Sequence, residues 1–335
     1  MSLNDMPDDI LIRLLNTAGS RDVARAKRLN KRINEIVETF NIGKPRVKEF
    51  SVQTRVSTTS PSKIGRLRFG PQGPPKKSIV VTMKRDRGMK SVEKIEDPSC
   101  STGSNDFVQE NMKKVELSEK LSLDGVAIDE SFYNMLTAKW NNLKHVTTVS
   151  LSLCHIQITW TQFADLLSRM TVKKLYLDFC TFDPSLISDK VLMSLPHLEV
   201  LQIQPRYSCF LNELTDQTLI YWASRSIPIN IQLRNYCASR MTVEGIRALM
   251  MSKHAIPSPE NRNTIDWDFG LLVEPTQADS IFLSLFLCPG IQVKVTDDFR
   301  SRRIRLYRDR FVVHFNIHSP FPTGPVSAAA AVNNS

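Results

Sequence analysis

The chain of 335 residues contains no apolar run near the roughly 20 residues that a membrane-spanning helix requires. Its longest such run, residues 281–288, reads as a buried strand or a short helix. Cysteine is sparse, with six residues spread from Cys100 to Cys288 and no C-x-x-C pair. That spacing argues against a disulfide scaffold and suits a compartment that keeps thiols reduced. The first residues, Met1-Ser2-Leu3-Asn4-Asp5, lack the basic stretch and apolar core of a secretory leader. An intracellular protein, cytoplasmic or nuclear, is expected, with no membrane partner.

Catalytic motifs are missing as well. The six histidines (His145, His155, His197, His254, His314, His318) form no H-E-x-x-H pair, and His314 and His318 fall in a strand-like stretch. There is no G-x-S-x-G elbow and no G-x-G-x-x-G loop. Residues 70–78 have the outline of a phosphate loop, but the second glycine is misplaced and three prolines offer no N–H. Adjacent acids such as Asp8/Asp9 and Asp297/Asp298 suit helix starts and turns better than acid–base couples. Neither catalysis nor a metal or cofactor is expected.

What is present is uneven charge on a chain long enough for about two or three modest domains. Residues 44–94 hold fourteen Lys/Arg against three acids, and the rest of the chain holds 30 basic and 31 acidic residues. The net charge of +10 is therefore local. Lys63, Arg66, Arg68, Lys76, Lys77, Lys84, Arg85 and Arg87 are candidate phosphate contacts, with Phe69 for stacking. Sparse aromatics and the lack of a nucleic-acid motif favour a solvated strand face or a surface for an acidic partner, so nucleic acid is not expected. Strands are expected at 47–52, 64–69 and 78–83, a loop at 70–75, and a linker over 95–110.

Residues 1–43 read as a helical unit. Pro7 suits a first turn with Asn4 or Asp5 as cap, and Ile10, Leu11, Leu14 and Leu15 recur at helical spacing. Ser20 is the expected cap of a following helix, whose stripe runs through Val23, Ala26, Leu29, Ile33, Ile36, Val37 and Phe40 to Gly43 and Pro45. So small a unit needs something to pack on, whether the rest of the chain or another protein.

From Leu121 the chain repeats. Apolar pairs occur at Leu121/Leu123, Val149/Leu151, Leu175/Leu177, Leu201/Ile203 and Ile231/Leu233, at spacings of 28, 26, 26 and 30. Helix-like stretches lie between them, with Asp129, Thr161, Ser185, Thr215 and Thr242 as expected caps. One strand and one helix per 24–30 residues resembles a degenerate leucine-rich repeat, with Cys154 and Cys180 at small buried positions. A doubly wound sheet would need more than these 12 glycines and less regular spacing. Beyond the repeats (111–270) lies a C-terminal region (271–318) with strands expected at 291–295, 304–307 and 311–317 and a turn at Asp309-Arg310. Arg300, Arg302, Arg303, Arg305, Arg308 and Arg310 alternate as if lining one exposed strand face, and residues 319–335 read as a disordered tail. The fold class expected is mixed α/β.

The run Met6-Pro7-Asp8-Asp9-Ile10-Leu11, then Ser20-Arg21-Asp22-Val23, then Leu29-Asn30-Lys31-Arg32-Ile33 resembles the F-box, which opens on Leu-Pro and closes on a V-C-K-R-W-like run. Here Met6 stands for the Leu and Ile33 for the Trp. An F-box before a repeat array looks most like the nematode F-box proteins with a divergent associated domain. The resemblance implies a substrate receptor of an SCF (Skp–cullin–F-box) ubiquitin ligase, bound to a Skp-type adaptor and through it to cullin. It further implies that Met6, Pro7, Ile10, Leu11, Leu14, Val23, Leu29 and Ile33 touch the adaptor, with Leu15, Ile36 and Val37 equally suited to internal packing. A target protein would meet the residues between the inward pairs: Ser122, Asp124, Ser150, Ser152, Tyr176, Asp178, Gln202, Gln204, Gln232 and Arg234. Tyr176 and Arg234 are the candidate anchors. A leucine-rich scaffold outside any ligase and a nucleic-acid binder led by residues 44–94 stay open as alternatives.

Overall fold

The computed structural model describes residues 6–40, 42–57, 76–86, 88–95, 103–138, 143–225, 227, 229–234, 237–252, 265–273, 292–297, 301–308 and 311–318. Outside them lie Asn4, Asp5, Lys63, Phe69, Arg66, Arg68, Arg87 and Arg300. The strand expected at 64–69, the loop at 70–75, the apolar run at 281–288, the Asp309-Arg310 turn and the tail at 319–335 lie outside them too. The chain is mixed α/β, opening with helices before strands and further helices follow, and divides into two units. One comprises Met1–Leu186 with Ser194–Leu198, the other Ile187–Met193 with Glu199–Ser335.

The first unit opens with helices α1 (Asp8–Thr17), α2 (Ser20–Leu29) and α3 (Lys31–Thr39). Pro7 and Gly19 occupy the N-cap positions of α1 and α2, so Ser20 is the first helical residue rather than the cap. The second stripe is not one helix. Asn30 is extended (φ −149°, ψ 126°), and its side chain accepts a hydrogen bond from Arg32 N (2.8 Å), ending α2 and capping α3. Leu11, Leu15, Val23, Ile33, Ile36, Val37 and Ile42 form a core of their own among these helices. Gly43 closes the unit at φ +75°, where a Cβ would fall 2.4 Å from Val23 Cγ1.

Three antiparallel strands follow, β1 (Arg46–Ser57), β2 (Lys76–Lys84) and β3 (Met89–Ile95). The stretch expected to be linker instead contains helix α4 (Gly103–Lys113). Strands β4 (Glu116–Asp124) and β5 (Ala127–Ile128), helix α5 (Glu130–Thr137), strands β6 (Thr148–Ser152) and β7 (His155–Ile156), helix α6 (Trp160–Ser168) and β8 (Lys174–Asp178) complete the unit's regular structure. The basic segment is not separate from the repeats, because β1 pairs in parallel with β4, and β4 with β6 and β6 with β8. Register aligns buried rows across five strands: Met83, Phe50, Leu121, Val149, Leu175, and Val81, Val52, Leu123, Leu151, Leu177.

After β4, β6 and β8 the backbone turns through the left-handed region at Gly125, Leu153 and Phe179. Cys154 and Cys180 follow the last two turns, buried, each thiol donating to a carbonyl one repeat earlier (Leu123 O at 3.4 Å, Leu151 O at 3.3 Å). Asp129 caps α5 as expected. The cap of α6 is Thr159, not Thr161, and it makes a capping box with Gln162.

The second unit contains α7 (Asp189–Met193), β9 (Val200–Gln204), β10 (Cys209–Thr215), α8 (Asp216–Ser224), β11 (Asn230–Leu233), β12 (Cys237–Arg240), α9 (Val243–Met251), β13 (Ile265–Leu272), β14 (Gln292–Asp297), β15 (Ser301–Arg308) and β16 (Phe311–His318). Ser185 caps no helix, since it sits in the 3-10 turn Pro184–Leu186 and α7 begins later. Strands β9, β11, β13 and β16 pair in parallel, and β16, β15 and β14 continue antiparallel. Trp222 and Trp267 are wholly buried here, and Trp267 Nε1 donates to Ile229 O (2.8 Å).

Candidate docking surfaces

The helical unit sorts its apolar residues into two sets. Leu11, Val23 and Ile33 are buried in its core and have no surface to offer a partner, and Met6 is half-buried against that core. Pro7 is exposed, and Ile10 and Leu14 share one face of α1, 40% and 47% exposed. Leu29 at the end of α2 is 85% exposed, because the break at Asn30 turns it away from the core. Phe40 is exposed beyond the end of α3. Arg32 ties the opening of α1 down, donating from Nε to Asp8 Oδ1 (3.2 Å) and from Nη2 to Met6 O (2.8 Å). The exposed side chains therefore sit on a fixed support.

In the first unit the strand alternation is as expected. Ser122, Ser150 and Tyr176 lie in one half-buried row, and Asp124, Ser152 and Asp178 in the next. Gln53 of β1 joins the second row, donating from Nε2 to Asp124 Oδ2 (2.9 Å). A cleft of about 550 Å³ lies beside β1 and β2, between α4 and the start of α5. Three of its polar side chains are engaged within the chain, since Asn105 Nδ2 donates to Ser131 Oγ (3.1 Å) and Asp129 caps α5.

In the second unit Gln202 and Gln204 are half-buried and Arg234 is exposed. Gln232 departs from the expected pattern. It is buried, its amide donates to Asp266 O, and its Oε1 accepts from Arg234 Nε (3.1 Å). Strand β13, which the repeat spacing did not reveal, lies beside it and takes up that side chain.

Two of the alternating arginines, Arg303 and Arg305, also differ from expectation. Register places Lys294, Arg305, His314, Asp268 and Gln232 in one row across β14, β15, β16, β13 and β11. Arg303 and Arg305 are half-buried rather than exposed, and their Nε atoms and His314 Nδ1 are buried without hydrogen-bond partners. His314 Nε2 meets Asp266 Oδ1 at 2.7 Å. Burial pushes the Asp268 carboxyl up, opposed by the hydrogen bond from Gly270 N and by the charges of Arg303 and His314.

The spacing reading also missed a pair of aspartates. Asp189 accepts from Thr215 N (2.9 Å), Thr215 Oγ1 (2.6 Å) and Thr218 Oγ1 (2.6 Å). One repeat on, Asp216 accepts from Thr242 N (2.7 Å) and Thr242 Oγ1 (2.6 Å). Each threonine in turn caps a helix, α8 through Gln217 N and α9 through Gly245 N. Thr215 and Thr242 are thus the expected caps, oriented by an acid from the repeat before.

Among the described residues no three His, Cys, Asp or Glu side chains converge as metal ligands, and no helix is long and apolar enough to cross a membrane. No family model, curated protein or solved structure matches the chain.

Proposed function

We propose that the chain is the substrate-recognition subunit of an SCF-type ubiquitin ligase. The observation that supports this reading is the helical unit, which fills its own core yet leaves Ile10, Leu14 and Leu29 outside it. Exposed apolar side chains on a small fixed support suit a protein partner. The F-box-like run that carries them makes that partner a Skp-type adaptor, with cullin beyond it. The target protein would meet the polar strand faces. The chain itself makes and breaks no bond. It raises the effective concentration of a target beside a ubiquitin-charged enzyme.

The test is co-elution of the full chain with a Skp-type adaptor on a sizing column. The parent forms a complex, and Ile10→Asp/Leu14→Asp loses it while unfolding at the parent's denaturant midpoint. Buried Leu11 is a poor choice of variant, because its loss unfolds the support. A folded parent that forms no complex overturns the proposal.

A further inference from the structure

The four cysteines among the described residues fall into two neighbouring pairs, one of them cross-strand, and the pairs differ in access. Cys209 opens β10 and Cys237 opens β12, and the parallel register sets them directly opposite, followed by Phe210 with Ala238 and Leu211 with Ser239. Burial alternates in step. Cys237, Leu211 and Ser239 are buried, Phe210 is exposed and Ala238 half-buried, so both thiols lie on the inner face. Opposed residues on neighbouring strands have Cα atoms roughly 4.8 Å apart, inside the span that a disulfide bridges. The register is held from both sides. The Arg240 guanidinium lies over the Phe210 ring (5.9 Å), and Gly270 packs so closely that a Cβ there would fall 2.3 Å from Cys237 O.

We propose that Cys209 and Cys237 form a redox-active dithiol that a hydroperoxide converts to an intramolecular disulfide. Cys209, half-buried at the end of an exposed stretch that includes Tyr207, is the sulfur that peroxide reaches first. Its thiolate attacks the peroxide, an S–O bond forms as the O–O bond breaks, and the leaving oxygen takes up the thiol proton as water or an alcohol. Cys237 then displaces that oxygen. An S–S bond forms as the S–O bond breaks, and the second thiol proton leaves in water. The two thiols supply the two electrons that reduce the peroxide. Burial, with Cys209 and Asp268 nearby, pushes the Cys237 thiol up, so the second step quickens as pH rises.

Cys154 and Cys180 provide the internal comparison. They too are neighbours, but both are buried and both donate to carbonyls, so oxidant has no path to either.

The test treats the full-length protein with hydrogen peroxide, blocks remaining thiols, digests it without reductant and maps linked peptides by mass spectrometry. The 209–237 link accumulates in native protein, ahead of any 154–180 link, and dithiothreitol removes it. Cys209→Ser abolishes the link, and Cys237→Ala leaves Cys209 as a trappable sulfenic acid. Two results overturn the proposal. One is a native protein whose exposed Met89 is oxidised to the sulfoxide while the 209–237 link stays absent. The other is a link that appears only after unfolding in urea.

Discussion

Asp189→Ala tests whether the repeats of the second unit are held together by polar relays as well as by their core. The carboxylate is almost wholly buried and accepts three hydrogen bonds. Thr218 is fully buried, so its hydroxyl loses an acceptor that water does not replace, at about 1–3 kcal/mol. The two Thr215 groups are half-exposed, and partial rehydration reduces their loss to about 0.5–1 kcal/mol each. Freeing the Thr215 hydroxyl also loosens the cap of α8, and relief of a buried carboxylate offsets some of the total. The expected destabilisation is about 3 kcal/mol. Asp189→Asn keeps one acceptor oxygen and costs about 1 kcal/mol. Urea unfolding followed by tryptophan fluorescence is the assay, because buried Trp222 and Trp267 both report on this unit. An alanine variant within about 0.5 kcal/mol of the parent refutes the reasoning, since surface changes alone have that size.

Gly43→Ala forces a Cβ against Val23 at a left-handed backbone position and is expected to cost the helical unit about 2–3 kcal/mol, read as a lower thermal midpoint by circular dichroism. Leu153 holds φ 53° while more than half exposed, so Leu153→Asn relieves backbone strain and is expected to stabilise by about 0.5–1 kcal/mol in urea titrations. Asp268→Asn is expected to raise the unfolding midpoint at pH 7. A carboxyl whose folded pKa is raised binds its proton more tightly when folded, so stability falls as pH climbs from the ordinary carboxylate range through the folded value. The parent and variant therefore converge on acidification to about pH 4, and a gap that persists there contradicts the assignment.

The repeating strands were legible because period-two alternation and a spacing near 26 residues are both local signals. Strand β1 was legible as a strand, since 47–52 falls within it, but its place beside the repeats was not, although Phe50 and Val52 alternate as Leu121 and Leu123 do. Its partner lies 71 residues away, which breaks the repeat frame. Strand β13 carried a usable signal, with Trp267 and Phe269 inward and Asp266 and Asp268 between them. Two aspartates and a glycine made those residues poor strand formers on propensity. Thr159 could be found as the first residue of a T-x-x-Q box, whereas Thr161 merely stands closer to the apolar stripe. Asp189 and Asp216 are 27 residues apart, as are Thr215 and Thr242, but a cap read within its own helix hides the acid that orients it. The helical unit failed for a different reason. Asn30 resets the helical phase, so continuity of the stripe through Leu29 and Ile33 does not say which of the two faces inward.

That division sets the strength of the proposed adaptor contact. Full burial of a leucine or isoleucine is worth about 1.5–3 kcal/mol. Ile10 and Leu14 are already half covered, so each adds about 1 kcal/mol, and Leu29 adds about 2 kcal/mol. The sum, about 4 kcal/mol, falls short of the roughly 8 kcal/mol of a micromolar complex, before association costs are met. Pro7, Phe40 and polar contacts must therefore share the proposed interface. Ile10→Ala/Leu14→Ala is then expected to weaken adaptor binding by about 2 kcal/mol, roughly 30-fold, with the complex still detectable by titration calorimetry. Complete loss in a folded variant would mean that the two side chains anchor the contact far beyond their exposed area. An unchanged affinity would mean that the adaptor sits elsewhere on the chain.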